Sequence, residues 1–150
     1  MQLEWTSDWI WSLPLIVFTM ILHVLVLGLV FRLIGRAYAG TMTSGQFAWI
    51  RASILVIAFI LVAIVLHALE AACWGAAYLL LGALPDARAA ILYSLNAMTT
   101  FGHVTFELAQ PWKLMGALEA LNGILLFGLT TAFMFALLVQ LKFADDVRRS

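Results

Sequence analysis

The sequence predicts an all-α membrane protein with three spanning helices and a short helical segment between the second and third that is too brief to cross. The composition is the first observation behind this: 65% of the chain is hydrophobic and 11% is charged, where soluble domains hold roughly half apolar and a quarter charged residues. The second is three long apolar runs, each supplying the roughly 20 residues that a helix rising 1.5 Å per residue needs to cross the hydrocarbon. The third is a shorter apolar run followed by Gly102 and a polar patch.

Several function classes drop out on the same grounds. The formal net charge is zero and no basic block occurs, so the chain carries no cationic footprint for nucleic-acid phosphates. Cys73 is the only cysteine, which rules out an intrachain disulfide framework or a cysteine-based metal cluster. No Ser-His-Asp set, phosphate-binding loop or metalloprotease spacing is present, so the expectation is a protein that is not an enzyme. No cofactor and no metal site are expected. Glu4 and Asp8 stand where a cleavable signal would carry positive charge, and the first apolar run is read as a retained anchor.

Taken in order, the first span runs from about Ile10 to Phe31, with Trp5, Trp9 and Trp11 as interfacial anchors. Arg32 to Gln46, with Gly35, Gly40 and Gly45, reads as a polar connection between antiparallel helices. The second span extends from Phe47 to Leu84, where Pro85 stops it. Asp86 to about Thr99 is helix-compatible but too short to cross, and the patch after Gly102 ends at Pro111. This stretch is read as re-entrant. Irregular backbone at membrane depth requires protein or a water-filled cavity to satisfy it, so the segment points to a pore or binding cavity. The third span runs from Trp112 to about Phe143.

Arg32, Arg36 and Arg51 flank the first connection and Lys142, Arg148 and Arg149 the C-terminal end, against Arg88 and Lys113 on the other side. The positive-inside rule then puts the N-terminus and the short segment outside and the C-terminus in the cytoplasm. No internal repeat is visible, so a central pore requires several copies of the chain.

The residues Tyr93-Ser94-Leu95-Asn96-Ala97-Met98-Thr99-Thr100-Phe101-Gly102-His103 resemble the pore helix and filter of the potassium-channel superfamily, whose pattern is Thr-x-Gly-Tyr-Gly-Asp. Thr100 stands at the filter threonine, Phe101 at the apolar position and Gly102 at the first glycine. His103 replaces the tyrosine and Val104 the second glycine. Pro111-Trp112 and the stretch Leu118 to Thr130 resemble the start and middle of the inner helix. His67-Ala68-Leu69-Glu70 with Trp74, Tyr78 and Leu81-Gly82 resembles the outer helix of small bacterial ion-channel proteins. The resemblance covers the C-terminal two-thirds and leaves the first span outside it.

The resemblance implies a homotetrameric pore in the lipid of a bacterial inner membrane, with no soluble ligand domain and with K+ and Na+ as permeant ions. Residues 1–46 become an N-terminal helix with its cytoplasmic connection, 47–143 the pore domain and 144–150 a short cytoplasmic tail. Thr99, Thr100, Phe101, Gly102, His103 and Val104 form the expected filter, in which carbonyl oxygens replace an ion's hydration shell and glycine serves left-handed backbone. Val104 cannot take such a conformation cheaply, so the outer filter is expected to be rebuilt and discrimination between K+ and Na+ to be weak. The end of the pore helix near Thr99 turns its carbonyl dipole to the pore and favours cations. His103 is read either as a ring of imidazoles titrating near pH 6.5, the ordinary value of about 6.5 for the side chain, or as a neutral replacement for tyrosine.

Glu107 is read as an outer-mouth carboxylate ring or as a solvated surface acid. Ile124, Phe127 and Thr131 share one helical face and match the cavity lining. Gly123 and Gly128 are hinge or close-packing candidates. Glu70 and Glu119 are intramembrane acids expected to make structural hydrogen bonds, with Ser94, Asn96 and Trp74 as candidate partners. Two other classes remain open: a non-conducting channel-like regulatory subunit, and a haem protein with His23 and His67 as paired axial ligands.

Overall fold

A chain in lipid satisfies its backbone hydrogen bonds within each segment, and a long apolar run therefore folds as helix. The computed structural model describes residues 2–39, 46–102 and 106–149, and in them the elements are α1 (Gln2–Ala39), α2 (Gln46–Leu80), α3 (Ala87–Met98) and α4 (Lys113–Arg149). Among the described residues three stretches, Thr6–Tyr38, Trp49–Leu80 and Lys113–Lys142, are long and apolar enough to cross a membrane. The 12 residues of α3 span about 18 Å at 1.5 Å per residue, well short of the hydrocarbon thickness of about 30 Å.

The helix ends differ from the sequence reading at four places, the first being the start of α1 at Gln2 rather than near Ile10. Arg32 to Ala39, expected as part of a polar connection, continues α1, because Ile34 and Tyr38 repeat at i and i+4 and are buried in the bundle. The remainder of that connection, 40–45, lies outside the described residues. α2 stops at Leu80 rather than Leu84, and the stop is Gly82, not Pro85. Gly82 adopts φ 63°, its N–H donates to the Leu79 carbonyl at 3.1 Å, and the Ala83 N–H reaches back to the Tyr78 carbonyl at 2.8 Å. This paired closure satisfies the last free carbonyls and requires a left-handed residue, which glycine supplies without steric cost. Finally, α4 continues to Arg149, past the expected end of the third span near Phe143.

α3 matches its expected bounds closely. Asp86 is extended and its side chain accepts the Ala89 N–H at 2.9 Å, a standard N-cap that satisfies one of the free amides of the first turn. Beyond α3, the Ala109 N–H donates to the Ala83 carbonyl at 3.2 Å, so the connection into α4 is tied to the turn leaving α2.

α1 and α4 run parallel, since Asp8 meets Met115, Thr19 meets Asn122 and His23 meets Thr130. At the start of α4, Asp8 accepts the Met115 N–H at 3.0 Å. A residue from another helix thus caps α4, whose own preceding residue, Trp112, has no side-chain acceptor. At the opposite end, Arg51 on α2 donates to the Ala37 carbonyl near the end of α1, with its guanidinium 5.9 Å from the Tyr38 ring.

Three apolar clusters result among the described residues, the smallest made of Ala71, Met98 and Leu126. Trp74, Tyr78, Tyr93, Leu108 and Met115 bind α2, α3 and the start of α4 together, with the Tyr78 and Tyr93 rings edge to face at 5.3 Å. Leu27, Ile34, Phe59, Leu66, Leu137 and Leu141 pack the other ends of α1, α2 and α4. Gly123 of α4 allows the end of α3 to seat: a Cβ there would lie 2.7 Å from the Met98 Cα and closer still to its carbonyl oxygen. Gly128 faces open space. Gly123→Ala is expected to cost about 1–3 kcal/mol through overpacking against backbone, whereas Gly128→Ala should be neutral or stabilising because alanine is the better helix former. Thermal unfolding of the two purified variants in detergent checks the difference; equal melting temperatures would show that the Met98 contact yields at no cost.

Candidate functional site

The C-terminal end of α3 closes on a threonine where most helices use glycine. Thr100 has φ 56°, its N–H donates to the Ala97 carbonyl at 3.0 Å, and the Phe101 N–H donates to the Asn96 carbonyl at 3.0 Å. This is the same paired closure as at Gly82, but placing a non-glycine residue in the left-handed region costs roughly 1–2 kcal/mol. Gly102 follows with φ 92°. Thr99, Thr100, Phe101 and Gly102 are all exposed in the single chain, Phe101 at 76%. His103 and Val104 lie outside the described residues.

Behind this segment a hydrogen-bonded group joins three helices. Tyr78 donates to Glu119 Oε2 at 2.6 Å, and the Ser94 hydroxyl lies against both Glu119 Oε1 and the Ala71 carbonyl, the latter at 2.7 Å. All of these residues are fully buried. Ser94 has one hydrogen and two oxygen neighbours, one of them a carbonyl that only accepts. The set is completely satisfied when Glu119 carries a hydrogen on Oε1, donates it to Ser94, and Ser94 donates onward to Ala71. Glu119 thereby holds α2, α3 and α4 in one register.

A second group lies near the middle of all three spanning helices. His23 Nδ1 is 2.8 Å from Glu70 Oε1, and His67 Nδ1 is 3.2 Å from Glu70 Oε2. Both Nε2 atoms face one hydroxyl, that of Thr130, each at 3.0 Å. His67 also stacks on Phe127, with ring centroids 4.1 Å apart. The hydrogens can be counted around this closed circuit. If His23 donates from Nδ1 to Glu70, its Nε2 accepts from Thr130. Thr130, having spent its only hydrogen, accepts from His67 Nε2–H. A neutral His67 then turns a bare Nδ1 toward Glu70 Oε2, and within this circuit these two atoms lack a hydrogen-bond partner despite their 3.2 Å separation.

Other polar contacts extend the arrangement along α1 and α4. Asn122 Nδ2 donates to Thr19 Oγ1 at 2.9 Å, while the Thr19 hydroxyl turns back to the Leu15 carbonyl at 2.9 Å.

Set against the sequence expectations, both intramembrane acids are engaged, one of them by an expected partner. Ser94 does bind Glu119; Trp74 and Asn96 bind neither acid, and the Trp74 indole N–H has no hydrogen-bond partner among the described residues. Glu70 is held by two histidines instead. Gly123 packs against the Met98 backbone, as its close-packing alternative requires. Ile124, Phe127 and Thr131 are all exposed on α4, and the Thr131 hydroxyl donates to the Phe127 carbonyl at 2.9 Å. Glu107 is exposed and paired with Lys113 at 3.1 Å, so an expected carboxylate becomes one half of an ion pair.

The paired histidines are not arranged for haem. An axial pair faces its iron from opposite sides of the macrocycle, whereas here the imidazole centroids are 5.1 Å apart and the Thr130 hydroxyl occupies the position between the two Nε2 atoms. Sequence reasoning missed the convergence of His23, His67, Glu70 and Thr130, and with it the role of α1. A signal was present: Asp8, Ser12, Thr19 and His23 are spaced by four, seven and four, which lines one face of a helix and marks a polar stripe in an otherwise apolar span.

Comparison with protein-family models, curated proteins and solved structures finds no match to this chain.

The Glu119 arrangement distinguishes two substitutions. Glu119→Gln keeps an acceptor for Tyr78 and supplies N–H to Ser94, so thermal stability should remain near that of the parent. Glu119→Ala leaves the Tyr78 hydroxyl without its acceptor, at a cost of about 1–3 kcal/mol for the unmatched buried group, while Ser94 keeps its bond to Ala71. Melting curves of the two variants test this, and a glutamine variant as unstable as the alanine one would show that the site needs an ionised carboxylate.

Proposed function

We propose that the chain is the subunit of a homotetrameric pore-loop cation channel. The observation that carries this reading is α3: a 12-residue helix, too short to cross, packed between two spanning helices and followed at once by exposed left-handed backbone at Thr100 and Gly102. A helix in that position turns the negative end of its dipole toward the segment after it, which favours a cation there. Strained backbone at a β-branched residue is uncommon and clusters at functional segments. Burial of Glu119 with Ser94 and Tyr78 supports the same reading, because it gives α3 a rigid seat.

In this proposal α3 is a re-entrant pore helix, and Thr99, Thr100, Phe101 and Gly102 line the narrow path with carbonyl oxygens. Ile124, Phe127 and Thr131 face the axis below them. Four copies surround the pore, since one chain offers one such segment. The N-terminus and the loop after α3 lie outside and the C-terminal end of α4 in the cytoplasm. Each Glu107 carboxylate at the mouth is offset by its Lys113, so the entrance concentrates cations less than four unpaired acids would. Permeation relies on backbone oxygens and the four α3 dipoles, and K+ and Na+ are poorly distinguished.

Reconstitution into liposomes under opposed K+ and Na+ gradients is expected to give cation currents reversing close to zero. Strong K+ selectivity refutes the weak-filter reading. Anion current, a monomeric particle or no flux refutes the channel, the last in favour of a non-conducting subunit. Gly102→Ala sharpens the test, because a Cβ at Gly102 meets no atom within 4 Å and only the φ of 92° opposes it. A fall in conductance of at least tenfold in a protein of unchanged melting temperature is the expected outcome.

A further inference from the structure

We infer that His23, His67 and Glu70 form an intramembrane site for a divalent first-row transition ion of the zinc class. The site does not rest on the pore reading, since its residues would bind such an ion whether or not the chain conducts. Three observations carry it.

The first is donor chemistry and convergence. Two imidazole nitrogens and a carboxylate from two helices bring their ligand atoms within 4.8 Å of one another. His67 and Glu70 are three residues apart on α2, which puts them on one helical face, and α1 brings His23 across to them. The closest nitrogen–oxygen separations are 2.8 and 3.2 Å. A tetrahedral ion bound at about 2.0–2.1 Å separates its ligand atoms by about 3.3 Å, so closure needs only small movements of side chains already facing one another.

The second is the orphaned pair. His67 Nδ1 and Glu70 Oε2 are buried, 3.2 Å apart, and not aligned for a hydrogen bond, and Glu70 has no accessible surface. The hydrogen count above leaves both atoms with lone pairs and nothing between them. A single cation accepts both, and His23 joins them once its ring hydrogen moves from Nδ1 to Nε2, where it donates to Thr130 beside His67 Nε2–H and releases the Thr130 hydrogen from His23. Leaving such groups unmatched at the middle of a spanning bundle is costly.

The third is the outer support. A metal-binding histidine characteristically engages its second ring nitrogen with a hydrogen-bonding group that fixes tautomer and orientation. Thr130 does this for both rings at once, at 3.0 Å each, leaving both Nδ1 atoms directed at the carboxylate.

The same donors select against other ions. Mg2+ and Ca2+ take oxygen ligands and gain little from imidazole, while two imidazoles and a carboxylate suit zinc and its neighbours. With neutral imidazoles and ionised Glu70 the ion keeps one positive charge. A hydroxide in the fourth position, formed from bound water whose pKa a zinc ion lowers to about 7, makes the site neutral. His67, 12% accessible where His23 and Glu70 have none, is the side from which an ion reaches it. Occupancy would join α1 to α2 directly and α4 through Thr130.

The test uses the full chain, purified in detergent and stripped with a chelator. Titration with Co2+ should produce visible ligand-field absorption saturating at one ion per chain, abolished by Zn2+ and unaffected by Mg2+. His67→Gln and Glu70→Gln should each weaken binding at least tenfold, Thr130→Val should weaken it by about 10–100-fold, and the exposed Glu107→Gln should leave it unchanged. X-ray absorption of the zinc-loaded parent protein needs no variant and should show two imidazoles per ion. A monodisperse parent protein that takes up no Co2+ overturns the proposal and leaves the triad as a hydrogen-bonded circuit; so does bound zinc without imidazole scattering, or undiminished binding in both glutamine variants.

Discussion

The absence of a hydrogen-bonding solvent around the spanning helices is the constraint on which this structure depends. In water a buried carboxylate competes with hydration, but in a bilayer its alternative is hydrocarbon, so polar side chains on apolar helices must find one another. Asp8, Thr19, His23, Glu70, Glu119 and Asn122 are buried, and each is hydrogen-bonded to another helix. Apolar packing alone would leave the helices free to slide or rotate, because lipid tails offer each apolar side chain an equivalent partner. The polar contacts supply the register.

That register explains why α1 is an integral part of the bundle. It caps α4 through Asp8, meets its middle through Thr19 and His23, and packs Leu27, Ile34 and Tyr38 into the cluster containing Leu137 and Leu141. Displacing α1 would uncover the first turn of α4 and break the histidine circuit together, so it couples mechanically to the helix behind the candidate pore segment. Phe127 links the two candidate regions: it stacks on His67 and lies on the exposed face of α4 with Ile124 and Thr131. An event at the histidine circuit that turned His67 would be felt on that face.

The two left-handed closures show the same backbone solution under different pressures. Gly82 ends α2 at no conformational cost, whereas Thr100 ends α3 against its β-branched side chain. The difference fits their surroundings. The turn at Gly82 only has to leave α2, while Thr100 leads directly into the exposed Phe101–Gly102 segment. Gly123 serves a third purpose, close approach: its missing Cβ lets α4 lie against the Met98 backbone and sets how deeply α3 seats.

The sequence by itself determined the elements: three apolar stretches of crossing length, a fourth too short beginning near Asp86, and a left-handed Gly102 are local properties of composition and backbone chemistry. It also marked Glu70, Glu119, His23 and His67 as costly residues in spans, and so as residues in need of partners. Boundaries were less legible, because Arg32 to Tyr38 reads as polar connection until Ile34 and Tyr38 are seen to be buried, and because Pro85 is the louder signal beside Gly82. Only the tertiary structure decided which partners the acids took. Glu70 is three residues from one of its histidines but 47 from the other, and Glu119 is 41 from Tyr78; helix phase and inter-helix register choose among candidates that look equal along the chain. Spacing along a helix says which face a residue occupies, but packing says what that face meets.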